Sequence, residues 1–82
     1  MDSFENAVCV EVFRTDVQDV EYAGRLLDRI HEAFAGYRAN FDLEDCDRIL
    51  RVECATGVVE SESLIELLRK AGFRAEVLTD DL

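Results

Sequence analysis

The sequence predicts an α+β domain whose elements follow the order strand, helix, strand, strand, helix, strand. Apolar and polar residues alternate in four short stretches, as in half-buried strands, and apolar residues recur every three to four positions in two longer stretches, as in amphipathic helices. The sequence also has no proline, so no stretch carries the residue that most often breaks helices and strands. With 82 residues, we expect one domain over 1–82 with one modest core and an ordered part of about 6–78.

The first strand is predicted over residues 6–13, and the first helix follows a short polar loop. We expect the core-facing side of this strand to carry three valines, Val8, Val10 and Val12. The other side then carries Cys9, Glu11 and Phe13. Asp19 is the predicted N-cap of the helix. Gly36 is its predicted end, because glycine readily adopts the left-handed conformation that closes helices.

A hairpin, a second helix and a last strand complete the plan. Residues 37–43 and 47–54 alternate and are joined by a short turn, which predicts two antiparallel strands. In the second of these strands the residues expected to face away from the core are Ile49, Arg51 and Glu53. The second helix begins around residue 60 and ends at Gly72, and the last strand follows over 74–78.

This order is the ferredoxin-like βαββαβ plan. Right-handed crossovers would place both helices on one face of a four-stranded antiparallel sheet, as a two-layer sandwich, and leave the other face open to solvent. The residues assigned to the open side of the two central strands form a predicted partner surface: Cys9, Glu11, Phe13, Ile49, Arg51 and Glu53. The alternative for these residues is a charged solvent face with cross-strand Glu–Arg pairs.

The charge of the chain argues against several partners. Asp and Glu number 19 against 9 Lys and Arg, for a net charge of −10, so the chain should repel nucleic-acid phosphates and anionic membrane surfaces. The first residues lack the basic segment and the apolar run of a signal peptide, so we expect none. No apolar run approaches the ~18 residues of a membrane span. Three cysteines without a closely spaced pair argue against a disulfide framework. We therefore expect a soluble protein of the reducing cytoplasm.

Two segments resemble the heavy-metal-associated domain, the small fold of copper chaperones and of N-terminal modules of metal ATPases. One segment is 10–20, which contains a strand, a loop and the start of a helix. The other is 64–73, whose Ala-Gly-Phe ending is similar to the end of the closing helix in that family. The resemblance covers about Val8 to Val77 and implies the ferredoxin-like fold.

The metal site of that family is a Met-x-Cys-x-x-Cys loop, in which two thiolates bind a soft ion such as Cu(I). The alignment places Asp16 and Asp19 at the two cysteine positions, and a shift of one residue places Val17 and Val20 there. Neither register supplies a sulfur, so the resemblance implies a domain that has lost its thiolate site. Carboxylates suit Mg²⁺ or Ca²⁺, which makes Asp16 and Asp19 weak metal candidates. A polar loop and an N-cap are the structural alternative.

The sequence offers no evident catalytic group. His31 is the only histidine, and spacing places no Ser or Cys nucleophile beside it. The acidic turn over 42–47 lacks the glycine and the final glutamate of an EF-hand loop. The cysteines are interpreted as small hydrophobic residues. We therefore predict that the chain is not an enzyme and holds no cofactor.

The sequence thus predicts a non-catalytic interaction module that binds a second copy or another protein through the open face of its sheet. An alternative function is metal binding or transport through carboxylates. A second alternative is small-molecule regulation, as in the ACT domains, which share this topology. In that case glycine-containing loops should contact the ligand at a dimer interface.

Overall fold

The computed structural model describes residues 9–55 and 57–78. It confirms the α+β class, with a four-stranded antiparallel sheet and two helices in the predicted order. The six elements are β1 Cys9–Thr15, α1 Val20–Ala33, β2 Tyr37–Asp42, β3 Ile49–Cys54, α2 Ser61–Lys70 and β4 Ala75–Val77. The strand predicted over 6–13 therefore extends to Thr15, and its predicted residues 6–8, Val8 among them, lie outside the described residues.

The sheet has the strand order β2-β3-β1-β4, and each neighbouring pair is antiparallel. Helix α1 connects β1 to β2, and these two strands are therefore parallel to each other but separated by β3. In the same way β3 and β4, joined through α2, are separated by β1. Each strand–helix–strand unit is thus split by a strand of the other, and β1 and β3 form the centre of the sheet.

The two faces of β1 are assigned by its pairing with β3. Residues directly opposite each other in an antiparallel pair lie on the same face of the sheet. The pairs on one face are Cys9–Cys54, Glu11–Val52 and Phe13–Leu50. Leu50, Val52 and Cys54 are buried, so this is the core side of the sheet, and the predicted facing of β1 is wrong.

Burial of the largest side chain explains this orientation of β1. Phe13 is fully buried, whereas Val10 is 47% exposed. A phenylalanine ring buries more apolar surface than a valine. The same side of the chain continues into Thr15 and Val17, which are also buried. Together these residues favour the register that directs Phe13 to the core.

One core joins both helices to this face of the sheet. The fully or nearly fully buried residues of the cluster come from β1, β3, the loops and both helices: Phe13, Val17, Ala23, Leu26, Ile30, Leu50, Val52, Cys54, Val59, Leu64 and Leu68. The strand residues among them all lie on the side that carries Phe13. The helices therefore pack on the face opposite to that of Val10.

The start of α1 and the end of α2 follow the predicted capping rules, whereas α1 ends at Ala33 rather than at the predicted Gly36. The carboxylate of Asp19 accepts a hydrogen bond from the backbone N–H of Glu21 at 2.8 Å, which confirms Asp19 as the N-cap of α1. At the end of α2 the N–H of Phe73 bonds to the carbonyl of Leu68, and the N–H of Gly72 to that of Arg69. These two bonds define a Schellman motif, and Gly72 supplies its left-handed residue with φ +98°.

We expect Asp19→Ala to lower the free energy of unfolding by about 1 kcal/mol, because the first turn of α1 loses the acceptor for one of its free N–H groups. Chemical denaturation followed by circular dichroism measures this change. Asp28→Ala, at an exposed position within α1, is the control and should lose less than about 0.5 kcal/mol. Equal losses in the two variants would contradict the capping role.

Candidate functional site

The loop between β1 and α1 is held by the two aspartates that were weak metal candidates. Oδ1 of Asp16 accepts a hydrogen bond from the backbone N–H of Arg74 at 2.8 Å, and the Asp16 N–H donates to the Arg74 carbonyl at 3.3 Å. Asp16 thus ties the loop to the segment before β4. Asp19 caps α1. Both carboxylates therefore have structural partners, as in the polar-loop alternative.

The turn between β2 and β3 holds one group of potential metal ligands within the described ranges. The donor atoms of Asp45, Cys46 and Asp47 lie within 4.8 Å of one another. Part of this set already has partners. Asp45 accepts a hydrogen bond from the Asp47 N–H at 2.9 Å, and the Asp47 carboxylate lies 3.4 Å from Nε of Arg14. A cation bound here would compete with the guanidinium of Arg14.

His31 has a structural contact at the edge of the sheet. Its Nε2 accepts a hydrogen bond from the backbone N–H of Ala39 at 3.1 Å. Ala39 belongs to β2, which is an outer strand of the sheet, and the unpaired N–H groups of outer strands invite pairing with other chains. His31 therefore connects the exposed side of α1 to β2 and satisfies one of these groups.

All three cysteines are free thiols. Cys9 and Cys46 are exposed, whereas Cys54 is buried. Cys9 was predicted to face away from the core, but it lies on the core side as the direct partner of Cys54 in the ladder between β1 and β3. With β1 facing as observed, the two thiols lie on the same face of the sheet.

A cavity of about 420 Å³ lies between the end of β1, the end of α2 and β4, and its lining includes Arg14, Arg69, Phe73 and Arg74. Two of these arginines have carboxylate partners. Arg14 lies 2.9 Å from Glu76, and Arg69 lies 2.8 Å from Glu66. The hydrogen bonds from Arg69 hold the pKa of the Glu66 carboxyl below its usual range. Much of the positive charge beside the cavity is therefore compensated.

The predicted partner surface is divided between the two faces of the sheet. Ile49, Arg51 and Glu53 lie on the face opposite to the core, as predicted. Cys9, Glu11 and Phe13 lie on the core side. The side of β1 that faces away from the core instead carries its even-numbered residues, including Val10 and Val12. The sequence signals conflict at this strand, because the size of Phe13 favours the observed side and the valines favour the other.

We define the open face as the exposed side of the sheet opposite to the core. Its residues follow from the strand pairings: Val10, Val12, Arg14, Arg38, Asn40, Asp42, Ile49, Arg51, Glu53 and Glu76. Neither helix of the described residues contributes to it. Ile49 is buried, Val12 and Glu53 are half-buried, and the other residues are exposed.

The charges of the open face balance. It carries three arginines, Arg14, Arg38 and Arg51, and three carboxylates, Asp42, Glu53 and Glu76. Opposite signs face each other across the strands in the pairs Arg38–Glu53 and Arg14–Glu76. The chain as a whole has a net charge of −10. The open face is therefore a neutral, alternating surface on a strongly acidic protein.

Comparison with known proteins adds no family to this geometry. No protein-family model matches the chain. The curated proteins likewise include no significant match. Among the described residues, no helix combines the length and apolar character needed to cross a membrane.

Proposed function

We propose that the chain is a non-catalytic interaction module that associates with a second copy of itself through the open face. The single observation that carries this proposal is the charge balance of that face on a protein of net charge −10. Two copies of an acidic chain repel each other over most of their surfaces. The open face, with equal numbers of opposite charges, offers contact without that repulsion.

The alternation of charges also suits a symmetric dimer. In a two-fold interface the same patch meets itself, so that each charged residue meets a different residue of the second copy. Arg38 and Glu53 are paired across β2 and β3, and a two-fold axis near them would let each contact the opposite charge of the other copy. The exposed part of Val10 adds apolar surface to this contact. A chain of this size also gains stability from an interface that enlarges its buried area.

We further propose that the fold is ferredoxin-like and derives from the plan of heavy-metal-associated domains without their thiolates. The split strand–helix–strand units support the first part. The aspartates at 16 and 19, in place of two cysteines, support the second. Free thiols at all three cysteines are compatible with the expected reducing, cytoplasmic setting.

We expect sedimentation velocity over a micromolar concentration series to give a monomer–dimer equilibrium for the unmodified chain. Arg51→Glu should weaken the dimer at least about tenfold, because it places a fourth negative charge at the centre of the open face. Arg29→Glu is the matched control. It makes the same change of charge at an exposed position of α1 and should leave the dimer nearly unchanged.

A second pair of variants tests the apolar part of the open face. Val10→Asp should weaken association, whereas Val58→Asp, at an exposed loop position, should not. A strictly monomeric chain at all concentrations would contradict the proposal. So would a dimer that Arg29→Glu weakens as much as Arg51→Glu.

Cation binding is the second candidate function, and the cluster of Asp45, Cys46 and Asp47 favours it. Calorimetric titration with Zn²⁺, Ca²⁺ and Mg²⁺ tests it, with Asp45→Asn as the variant that removes a ligand. Saturable binding lost in this variant supports a cation site, and absence of heat with an unchanged Tm contradicts it.

Small-molecule regulation of the ACT type gains no support from the glycines. A Cβ atom added at Gly24, Gly36, Gly57 or Gly72 would meet no atom within 4 Å. Within a single copy of the chain, no neighbouring backbone lies so close that these positions require glycine. Gly36 and Gly72 have positive φ values and act as turn residues.

A further inference from the structure

Cys9 and Cys54 occupy facing positions where the start of β1 meets the end of β3. The neighbouring hydrogen bonds identify the type of this pair. Thr15 donates its N–H toward β3, to the Asp47 carbonyl, whereas the Val12 carbonyl accepts from Leu78 on the side of β4. Odd-numbered residues of β1 therefore direct their backbone groups to β3. The cysteine pair is thus a hydrogen-bonded one, in which the Cα atoms are about 5.5 Å apart.

This Cα separation lies within the range of bridged cysteines, about 4.4–6.8 Å, but the Cβ atoms of a hydrogen-bonded pair are about 5.5 Å apart, whereas those of a relaxed disulfide are about 3.5–4.5 Å apart. A bridge would therefore draw the two strands together locally, and the resulting strain would make the bond easier to reduce. The two side chains lie on the same face of the sheet because they are direct partners in the antiparallel ladder. A covalent bond between them therefore requires no change of strand register.

The two thiols differ in access to solvent. Cys9 is exposed, whereas Cys54 is buried, with 5% of its surface accessible. A dissolved oxidant therefore reaches Cys9 first. Cys54 lies beside it, shielded from the same reagent, in the position of a resolving thiol.

We infer that Cys9 and Cys54 form a reversible thiol–disulfide site that reacts with small disulfides of the glutathione class. The Cys9 thiolate attacks one sulfur of glutathione disulfide, which forms a mixed disulfide and releases one glutathione thiolate. The Cys54 thiolate then attacks Sγ of Cys9 and releases the second glutathione. The two protons of the protein thiols pass to the two glutathione thiolates. The cysteines are oxidised by two electrons, and glutathione disulfide is reduced by two.

Oxidation would join the two central strands covalently. Such a bond closes the chain from Cys9 to Cys54 into a loop and restricts the unfolded state, which raises stability. Disulfides that form and break in a reducing compartment are usually catalytic or redox-sensing. The site would therefore couple the stability of the sheet to the redox state of the surrounding thiols.

The test uses the full chain with Cys46→Ser, which leaves the two facing cysteines. Incubation with glutathione disulfide should give a monomer lighter by two hydrogen atoms in intact-mass spectrometry. Thiol titration of the denatured protein should then find no free cysteine. We expect the Tm to rise by about 10 °C and to return after treatment with dithiothreitol.

Two variants on the Cys46→Ser background complete the test. With Cys54→Ser, Cys9 should retain one glutathione, because no resolving thiol is present. With Cys9→Ser, the buried Cys54 should stay unmodified. A stable glutathione adduct on the chain that retains both cysteines, a disulfide between two chains, or no reaction at all would overturn the inference. These outcomes are read at concentrations where the chain is monomeric, so they do not depend on the proposed dimer.

Discussion

Phe13→Ala is expected to lower the free energy of unfolding by about 3–5 kcal/mol, because it leaves a cavity in the centre of the core. Phe13 is fully buried and lies on a central strand between Leu50 of β3 and Val77 of β4. It belongs to the core cluster that includes residues of both helices. For a domain of this size the loss corresponds to a fall in Tm of roughly 15 °C or more.

Chemical and thermal denaturation measure this effect. Val10→Ala is the control, since Val10 lies on the same strand but on the open face, and we expect it to lose less than about 1 kcal/mol. The comparison also distinguishes the observed orientation of β1, with Phe13 in the core, from the predicted one, with Phe13 on the open side of the sheet. If Phe13 belonged to a partner surface, its replacement would weaken association and leave stability nearly unchanged. That result would contradict the position of Phe13 in the core.

Thr15→Val is expected to lower the free energy of unfolding by about 2–3 kcal/mol, although valine has nearly the same shape. Thr15 is buried, and its hydroxyl donates to the Arg48 carbonyl and accepts from the Val17 N–H, at 2.6 and 3.2 Å. Valine removes both hydrogen bonds and leaves two backbone groups without these partners in a shielded site. Loss of such partners is more harmful than loss of an exposed hydrogen bond.

Thr15→Ser is the matched variant for this test. It retains the hydroxyl and removes one methyl group, so we expect a loss of about 1 kcal/mol. Denaturation curves of the two variants and the unmodified chain give the comparison. A valine variant that is as stable as the serine variant would show that the hydroxyl contributes little. The positive φ of Arg48 is a further reason to expect sensitivity, because the hydroxyl of Thr15 helps to hold that turn.

The loop that binds metal in the resembled family therefore has a structural role in this chain. Thr15 links its start to the turn before β3, and Asp16 links it to the segment before β4. Val17 fills the core, and Asp19 begins α1. These contacts explain the residue types of the loop without a bound ion. This is why our proposed function involves the open face of the sheet rather than the loop.

Most elements were predictable because their signals are local. The alternating residues of β2 and β3 and the spacing of α2 are read from neighbours in the chain, as are the cap at Asp19 and the Schellman motif at Gly72. The absence of sulfur at positions 16 and 19 is equally local. Each of these features depends on residues within a few positions of one another.

The contacts that define the candidate sites are not local. Asp16 meets Arg74, 58 residues away, and Thr15 meets Arg48, 33 residues away. The pairing of Cys9 with Cys54 depends on the register of two central strands. No periodicity carries this information, because many registers bury a similar number of apolar residues.

Local sequence accounts for the class of the fold, the order of its six elements and the absence of cysteine at positions 16 and 19. The tertiary structure alone decided which side of β1 faces the helices, and with it the composition of the open face. The physical reason is the two-residue period of a strand, in which a change of side moves every side chain at once. Both sides of β1 carry large apolar residues, so only the pairing with β3 and the space for the ring of Phe13 distinguish them.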